Sequence, residues 1–73
     1  MNNKKYTAPR TDWGRNCKSV MALKGITMKE LAKSIGYTYS YTSSIINGRT
    51  IPSMKTIEAI SAFLGVPVSE YSA

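Results

Sequence analysis

The chain has 73 residues, of which 42% are hydrophobic, and this allows one small domain with a single compact core. Ten Lys and Arg residues against four Asp and Glu residues give a formal net charge of +6, which favours a polyanionic partner such as nucleic acid. One cysteine without histidine excludes an intrachain disulfide and a zinc site, and no run is apolar enough for a membrane span or a signal peptide. We therefore expect an intracellular protein without a metal or another cofactor.

The N-terminal segment MNNKKYTAPRTD is polar and basic, contains a proline and shows no apolar periodicity. It predicts a flexible basic arm over residues 1–12, followed by a single domain over residues 13–73. A first helix is predicted from Trp13, because apolar side chains then recur at i, i+4, i+7 and i+8. Lys24 and Gly25 are typical of a helix end. The apolar stripe consists of Trp13, Cys17, Val20 and Met21.

A capping box predicts the start of a second helix, because Thr27 is followed three residues later by Glu30. Ile26 precedes the cap and is placed to pack against Leu31. Gly36 is expected to end this short helix. Its predicted apolar side consists of Leu31, Ala32 and Ile35.

The stretch YTYSYTSSIING, residues 37–48, has the composition of a β-strand, and its Asn-Gly pair is a common hairpin turn. A strand needs a partner, however, and Pro52 would cut short the only segment available for a hairpin. A helix accounts for more of the pattern, because Thr38 is a good N-cap and the Asn-Gly pair tolerates the geometry of a helix end. We predict a third helix over about residues 38–47. Its buried face is expected to hold Thr42, Ile45 and Ile46.

A fourth helix is predicted after Pro52, with Ser53 as its cap and Gly65 at its end. Its inward stripe is expected to hold Met54, Ile57, Ile60, Ser61 and Leu64. A short final turn, with Val66, Val68 and Tyr71, would close the core. The predicted fold class is all-α, a compact bundle of four to five short helices.

Two short helices joined by a glycine-containing turn, over residues 27–47, form a helix-turn-helix unit. The small Ala32 allows the two helices to cross closely, and Gly36 allows the chain to turn. The segments GITMKELAKSIG, SSIINGRTIPS and IEAISAFLGVPVSEY occur in this order within residues 14–71. Together they resemble the lambda-repressor/Cro-type helix-turn-helix family.

This resemblance implies a five-helix bundle whose third helix reads the major groove of double-stranded DNA. By position, the residues expected to face base edges are Tyr39, Ser40 and Ser44. Those expected along the DNA backbone or flanking it are Tyr41, Ser43, Asn47, Arg49, Thr50 and Lys29. In the arm, the cations expected to add electrostatic reach are Lys4, Lys5 and Arg10. Structural alternatives stay open: Asn47 can serve as a helix cap as well as contact a phosphate, and Tyr37 or Tyr39 can pack against lysine stems or the second helix. The serines of this helix, Ser40, Ser43 and Ser44, can also be plain solvent-exposed residues.

The sequence departs from the family pattern at three places. Met28 stands where the family commonly has a phosphate-binding Gln, and Met21 and Ile46 form an apolar pair where some members have an Arg–Glu pair. The third helix also offers Tyr and Ser in place of the usual Gln, Asn, Arg or Lys, so it lacks a bidentate donor for guanine or adenine.

Two functions are consistent with these residues. The first is a sequence-specific transcription regulator of phage or prophage Cro/repressor type, which binds DNA in the bacterial cytoplasm, at the nucleoid, as a weak homodimer. The alternative is an antirepressor that binds another repressor protein through the same tyrosine-rich face. An enzyme with a small-molecule substrate is not expected, because the four carboxylates are scattered and no glycine-rich phosphate loop is present. Nor is membrane binding, because no helix combines a basic face with a large exposed apolar one.

Overall fold

A computed structural model describes residues 11–71, in which four α-helices precede one short 3-10 helix. The helices are α1 (Asp12–Lys24), α2 (Met28–Ile35), α3 (Tyr39–Ile46), α4 (Met54–Leu64) and the 3-10 helix Val68–Glu70. The described range contains no β-strand, so the predicted all-α bundle of four to five helices is confirmed. The arm residues Lys4, Lys5 and Arg10 lie outside the described residues.

The first helix begins at Asp12, one residue before the predicted start. The hydroxyl of Thr11 accepts a hydrogen bond of 2.9 Å from the backbone N–H of Gly14, which caps the helix. Asp12 then places a negative charge in the first turn, where the helix dipole favours it. The two residues assigned by sequence to the end of the arm, Thr11 and Asp12, are therefore part of the helix start.

Hydroxyl caps also fix the starts of the other three α-helices. In the capping box, Glu30 N–H donates to Thr27 Oγ1 at 3.0 Å, and Thr27 N–H donates to the Glu30 carboxylate at 2.9 Å. Thr38 Oγ1 accepts from Tyr41 N–H at 3.1 Å, which starts α3 as a helix and not as a strand. Ser53 caps α4 in the same way. Each such cap stabilises a helix by about 1 kcal/mol.

The core lies where the four α-helices meet, and its largest fully buried side chain is that of Trp13. The indole N–H of Trp13 donates to Ser61 Oγ at 2.8 Å, so the one polar atom of this ring is satisfied. The ring of Tyr71 packs edge-on against Trp13, with ring centroids 5.3 Å apart. This contact attaches the end of the described chain to α1.

Two further predictions concern side chains of the core. Met21 and Ile46 both lie in the buried core. An apolar pair thus occupies the two positions at which some members of the resembled family have an Arg–Glu pair. Met54, predicted to face inward, is 56% exposed, and that part of the predicted stripe is wrong. Thr56 is buried in this turn instead, and its hydroxyl has two hydroxyl partners, Ser53 at 3.1 Å and Tyr37 at 3.0 Å.

Candidate nucleic-acid interface

The helices α2 and α3 are connected by a tight turn at Gly36. This glycine adopts φ +80°, a left-handed conformation that side-chain-bearing residues rarely adopt. Beyond it, Tyr37 N–H donates to the carbonyl oxygen of Ala32 at 3.0 Å, which closes the C-terminus of α2. Ala32 is 3% exposed, as expected for a small residue where two helices cross. The predicted helix-turn-helix geometry is therefore present in the structure.

One side of α3 is buried, and this fixes the direction in which the opposite side faces. The buried residues are Thr42, Ile45 and Ile46. Ser40 and Ser44 are four residues apart and lie on the opposite side of the helix. Ser40 is exposed and Ser44 half-buried, whereas Tyr39 is 58% exposed. Ser40 and Ser44 thus lie away from the buried side of α3, Tyr39 is exposed at the first residue of the helix, and the contact of all three with DNA stays a prediction.

Tyr37 connects the start of α3 to α4. Its hydroxyl lies 3.0 Å from the hydroxyl of Thr56, which is itself 3.1 Å from the Ser53 hydroxyl. The ring of Tyr37 packs edge-on against Tyr41, with centroids 5.1 Å apart and an interplanar angle of 90°. Sequence reasoning proposed lysine stems or the second helix as neighbours and missed α4, because no local pattern reveals a partner 19 residues away.

Asn47 follows the last residue of α3, and its side chain is directed into the protein. It is 7% exposed, and its amide Nδ2 donates to Ser43 Oγ at 3.2 Å. The amide oxygen is buried and has no hydrogen-bond partner in the structure. One N–H of the amide thus holds Ser43, and a phosphate contact through the second N–H of this largely buried side chain stays a prediction.

Substitution of Ser43 by alanine is expected to destabilise the folded state by about 1–3 kcal/mol, because the buried Asn47 amide would then have both polar atoms unpaired. The matched control is Ser40→Ala, which removes an exposed hydroxyl from the same helix and should change stability by less than about 0.5 kcal/mol. Urea denaturation of the two variants measures the difference. Equal free energies of unfolding would show that the Asn47–Ser43 bond adds no stability.

Positive charges lie on the segments before and after α3, while α3 itself carries none. Lys29 and Lys33 are exposed on α2, Arg49 is exposed just after α3, and Lys55 is exposed in the first turn of α4. Thr50 is half-buried and follows Arg49. The helix α3 is thus uncharged and rich in hydroxyl groups, and cations lie on both flanking segments. This arrangement is compatible with a double-stranded nucleic acid, in which base edges lie in a groove between two phosphate backbones.

Elsewhere the described residues offer little chemistry. A polar depression is lined by Asp12, Arg15, Asn16 and Glu70, but Arg15 pairs with Asp12 and Asn16 donates to Glu70. Within residues 11–71 no group of three or more His, Cys, Asp and Glu side chains could hold a metal ion. In the same range no helix combines the length and the hydropathy that crossing a membrane requires.

The fold and this surface together define a helix-turn-helix protein, and comparison with known proteins supports the same class. Residues 18–71 match the helix-turn-helix family, and the chain belongs to that family, as its resemblance to the lambda-repressor/Cro type indicated. One relative is described as an uncharacterized HTH-type transcriptional regulator, YazB, from Bacillus subtilis (strain 168). It is 31% identical over 58 residues, which cover 80% of this chain and 84% of the relative.

Proposed function

We propose that this protein is a sequence-specific DNA-binding transcription regulator of phage or prophage Cro/repressor type. The observation that carries the proposal is the accessible surface of α3, where Ser40 and Ser44 lie opposite the buried side and Tyr39 is exposed at the start of the helix. An α-helix fits into a major groove, which is about 12 Å wide, and the N-terminal residues of a reading helix meet base edges there. Family membership, and a relative described as an HTH-type transcriptional regulator, support this proposal.

The charges support DNA as the polyanion. The net charge of the chain is +6, and exposed cations occupy the segments on both sides of α3. In this proposal Lys29 and Arg49 contact phosphates, Tyr41, Ser43 and Thr50 lie along the flanking backbone, and the basic arm adds electrostatic attraction. A weak homodimer, or a dimer formed on DNA, would place two copies of α3 about 34–36 Å apart on a two-fold symmetric operator.

The proposal is tested by selecting bound sequences from a random duplex library at two salt concentrations. We expect a palindromic site to be enriched and the affinity for it to fall steeply as salt rises, because bound phosphates release counterions. Ser40→Glu places a carboxylate on the reading face and should abolish this binding. Ser19→Glu makes the same charge change at an exposed position of α1, outside the helix-turn-helix, and should retain it.

A different result would favour the second function. Retention that is weak and indifferent to sequence would overturn the operator-binding proposal. The exposed rings of Tyr37, Tyr39 and Tyr41 would then favour a contact with another repressor protein, as expected for an antirepressor. Such a contact would depend little on salt, and it would be detected as a complex between the two purified proteins.

A further inference from the structure

The exposed chemistry of α3 is unusual for a helix that reads DNA. Residues Tyr39–Ile46 contain hydroxyl groups and phenol rings but no amide, guanidinium or ammonium group. Guanine is commonly recognised by bidentate Arg or Lys, and adenine by bidentate Asn or Gln. A serine hydroxyl bonds to several base edges and separates them poorly. Asn47, just after the helix, is 7% exposed and engaged with Ser43. Hydrogen bonds from α3 therefore cannot supply strong discrimination.

The rings of Tyr39 and Tyr41 provide the remaining means of recognition. They are 58% and 39% exposed, respectively, and belong to the first turn of α3, the part of a reading helix that meets base edges. Because each residue rotates the helix by about 100°, the two rings lie on different flanks of Ser40. The base feature that an apolar surface recognises in the major groove is the C5-methyl group of thymine.

The structure also holds one of these rings in place. The Tyr41 ring packs edge-on against Tyr37 at 5.1 Å between centroids, and the Tyr37 hydroxyl is held by Thr56 at 3.0 Å. A ring that is already ordered in the free protein loses little conformational freedom on binding. Tyr41 is therefore prepared to pack against a fixed apolar group on the DNA.

We infer that the operator half-site facing α3 is rich in thymine, and that the C5-methyl groups pack against the rings of Tyr39 and Tyr41. Ser40, between them in the sequence, adds a single hydrogen bond to a neighbouring acceptor. The inference rests on the proposed function, because it names the bases that the reading helix distinguishes. Burial of one methyl group corresponds to about fourfold in affinity.

The test replaces thymines of the selected duplex by uracil, one position at a time. Uracil lacks the C5-methyl group and retains both the base-pairing edge and the O4 acceptor. We expect about fourfold weaker binding at each thymine that contacts a tyrosine ring, and no change at thymines outside the half-sites. The change is made in the DNA, so the folding of the protein does not affect the comparison.

A protein variant identifies the ring responsible. Tyr39→Ala should bind the thymine and uracil duplexes equally at the position that Tyr39 contacts, whereas the wild-type protein distinguishes them. Phe63→Ala is the matched control, because Phe63 is 44% exposed on α4 and its truncation should leave the preference for thymine intact.

The outcomes separate this inference from the function on which it rests. A selected site bound with equal affinity in its thymine and uracil forms would overturn thymine recognition and leave the operator-binding regulator standing. A selected half-site without thymine would have the same meaning. Failure to select any site would overturn both. A loss at half-site positions that disappears in Tyr39→Ala or Tyr41→Ala would establish the inference.

Discussion

Replacement of Trp13 by alanine is expected to lower the free energy of unfolding by about 4–5 kcal/mol at 25 °C, a large share of the total stability. Truncation of a fully buried Trp costs about 3–5 kcal/mol, and a chain of this length has a total stability of about 4–11 kcal/mol. The cost should lie in the upper half of its range, because the substitution also removes the partners of two groups. Ser61 loses the indole N–H at 2.8 Å, and Tyr71 loses the ring against which it packs. Circular dichroism with urea denaturation measures the change.

The control for this substitution is Leu23→Ala, on the same helix. Leu23 is 87% exposed, so its truncation should change the free energy of unfolding by less than about 0.5 kcal/mol. A Trp13→Ala variant as stable as Leu23→Ala would mean that the Trp13 ring does not form the centre of the core. The comparison separates the effect of burial from the effect of shortening an apolar side chain in α1.

The second large effect is expected on DNA affinity when Lys29 and Arg49 are both replaced by glutamine. If each contacts one phosphate, each loss weakens binding about eightfold at 0.1 M salt, because log K changes by about 0.9 per contact for each tenfold change in salt. The double variant should therefore bind about 60-fold more weakly, and the slope of log K against log salt should fall by about 2. Titration of the selected duplex at several salt concentrations measures both quantities.

Sequence preference should survive this double substitution, because phosphate contacts position the protein and carry no base information. Lys18→Gln is the matched control, since it removes one positive charge from α1, outside the helix-turn-helix, and should leave the salt slope almost unchanged. A double variant with an unaltered slope would remove Lys29 and Arg49 from the list of phosphate contacts. The distinction between slope and preference separates the two kinds of contact.

Much of the fold was predictable because its determinants are local in sequence. The capping box needs only Thr27 and Glu30, three residues apart, and both of its hydrogen bonds are present. The third helix was harder to predict, because its Tyr-Ser-Thr composition favours a strand. The Thr38 cap and the burial of Ile45 and Ile46 outweigh that preference, as the absence of a partner strand suggested.

What could not be predicted depends on residues that are distant in sequence. The bond between Trp13 and Ser61 spans 48 positions, and the bond between Tyr37 and Thr56 spans 19. Periodicity identified Ser61 as inward but could not show which donor satisfies it. The same limitation explains the wrong prediction for Met54. Apolar periodicity shows which side of a helix faces the core, but it does not show that a residue in the first turn is beyond the edge of that core. For the site, position on α3 was predictable, whereas the engagement of the Asn47 amide by Ser43 was not.

The buried thiol of Cys17 makes the stability of the folded protein depend on pH in the alkaline range. Burial, followed by the negative charge of Glu70, raises the pKa of this thiol from 9.0 to about 12. Because the folded pKa lies above the unfolded one, the stability that the neutral thiol contributes is complete below pH 9.0 and is lost as the pH rises towards about 12.

The rest of the buried core cluster has no ionisable side chain, and the chain has no histidine, the residue that ordinarily changes charge between about pH 5 and 8. The buried core against which α3 packs therefore keeps one charge state at every physiological pH. Occupancy of the proposed operator would then follow protein concentration and ionic strength, and proton concentration would not act as a signal through this core.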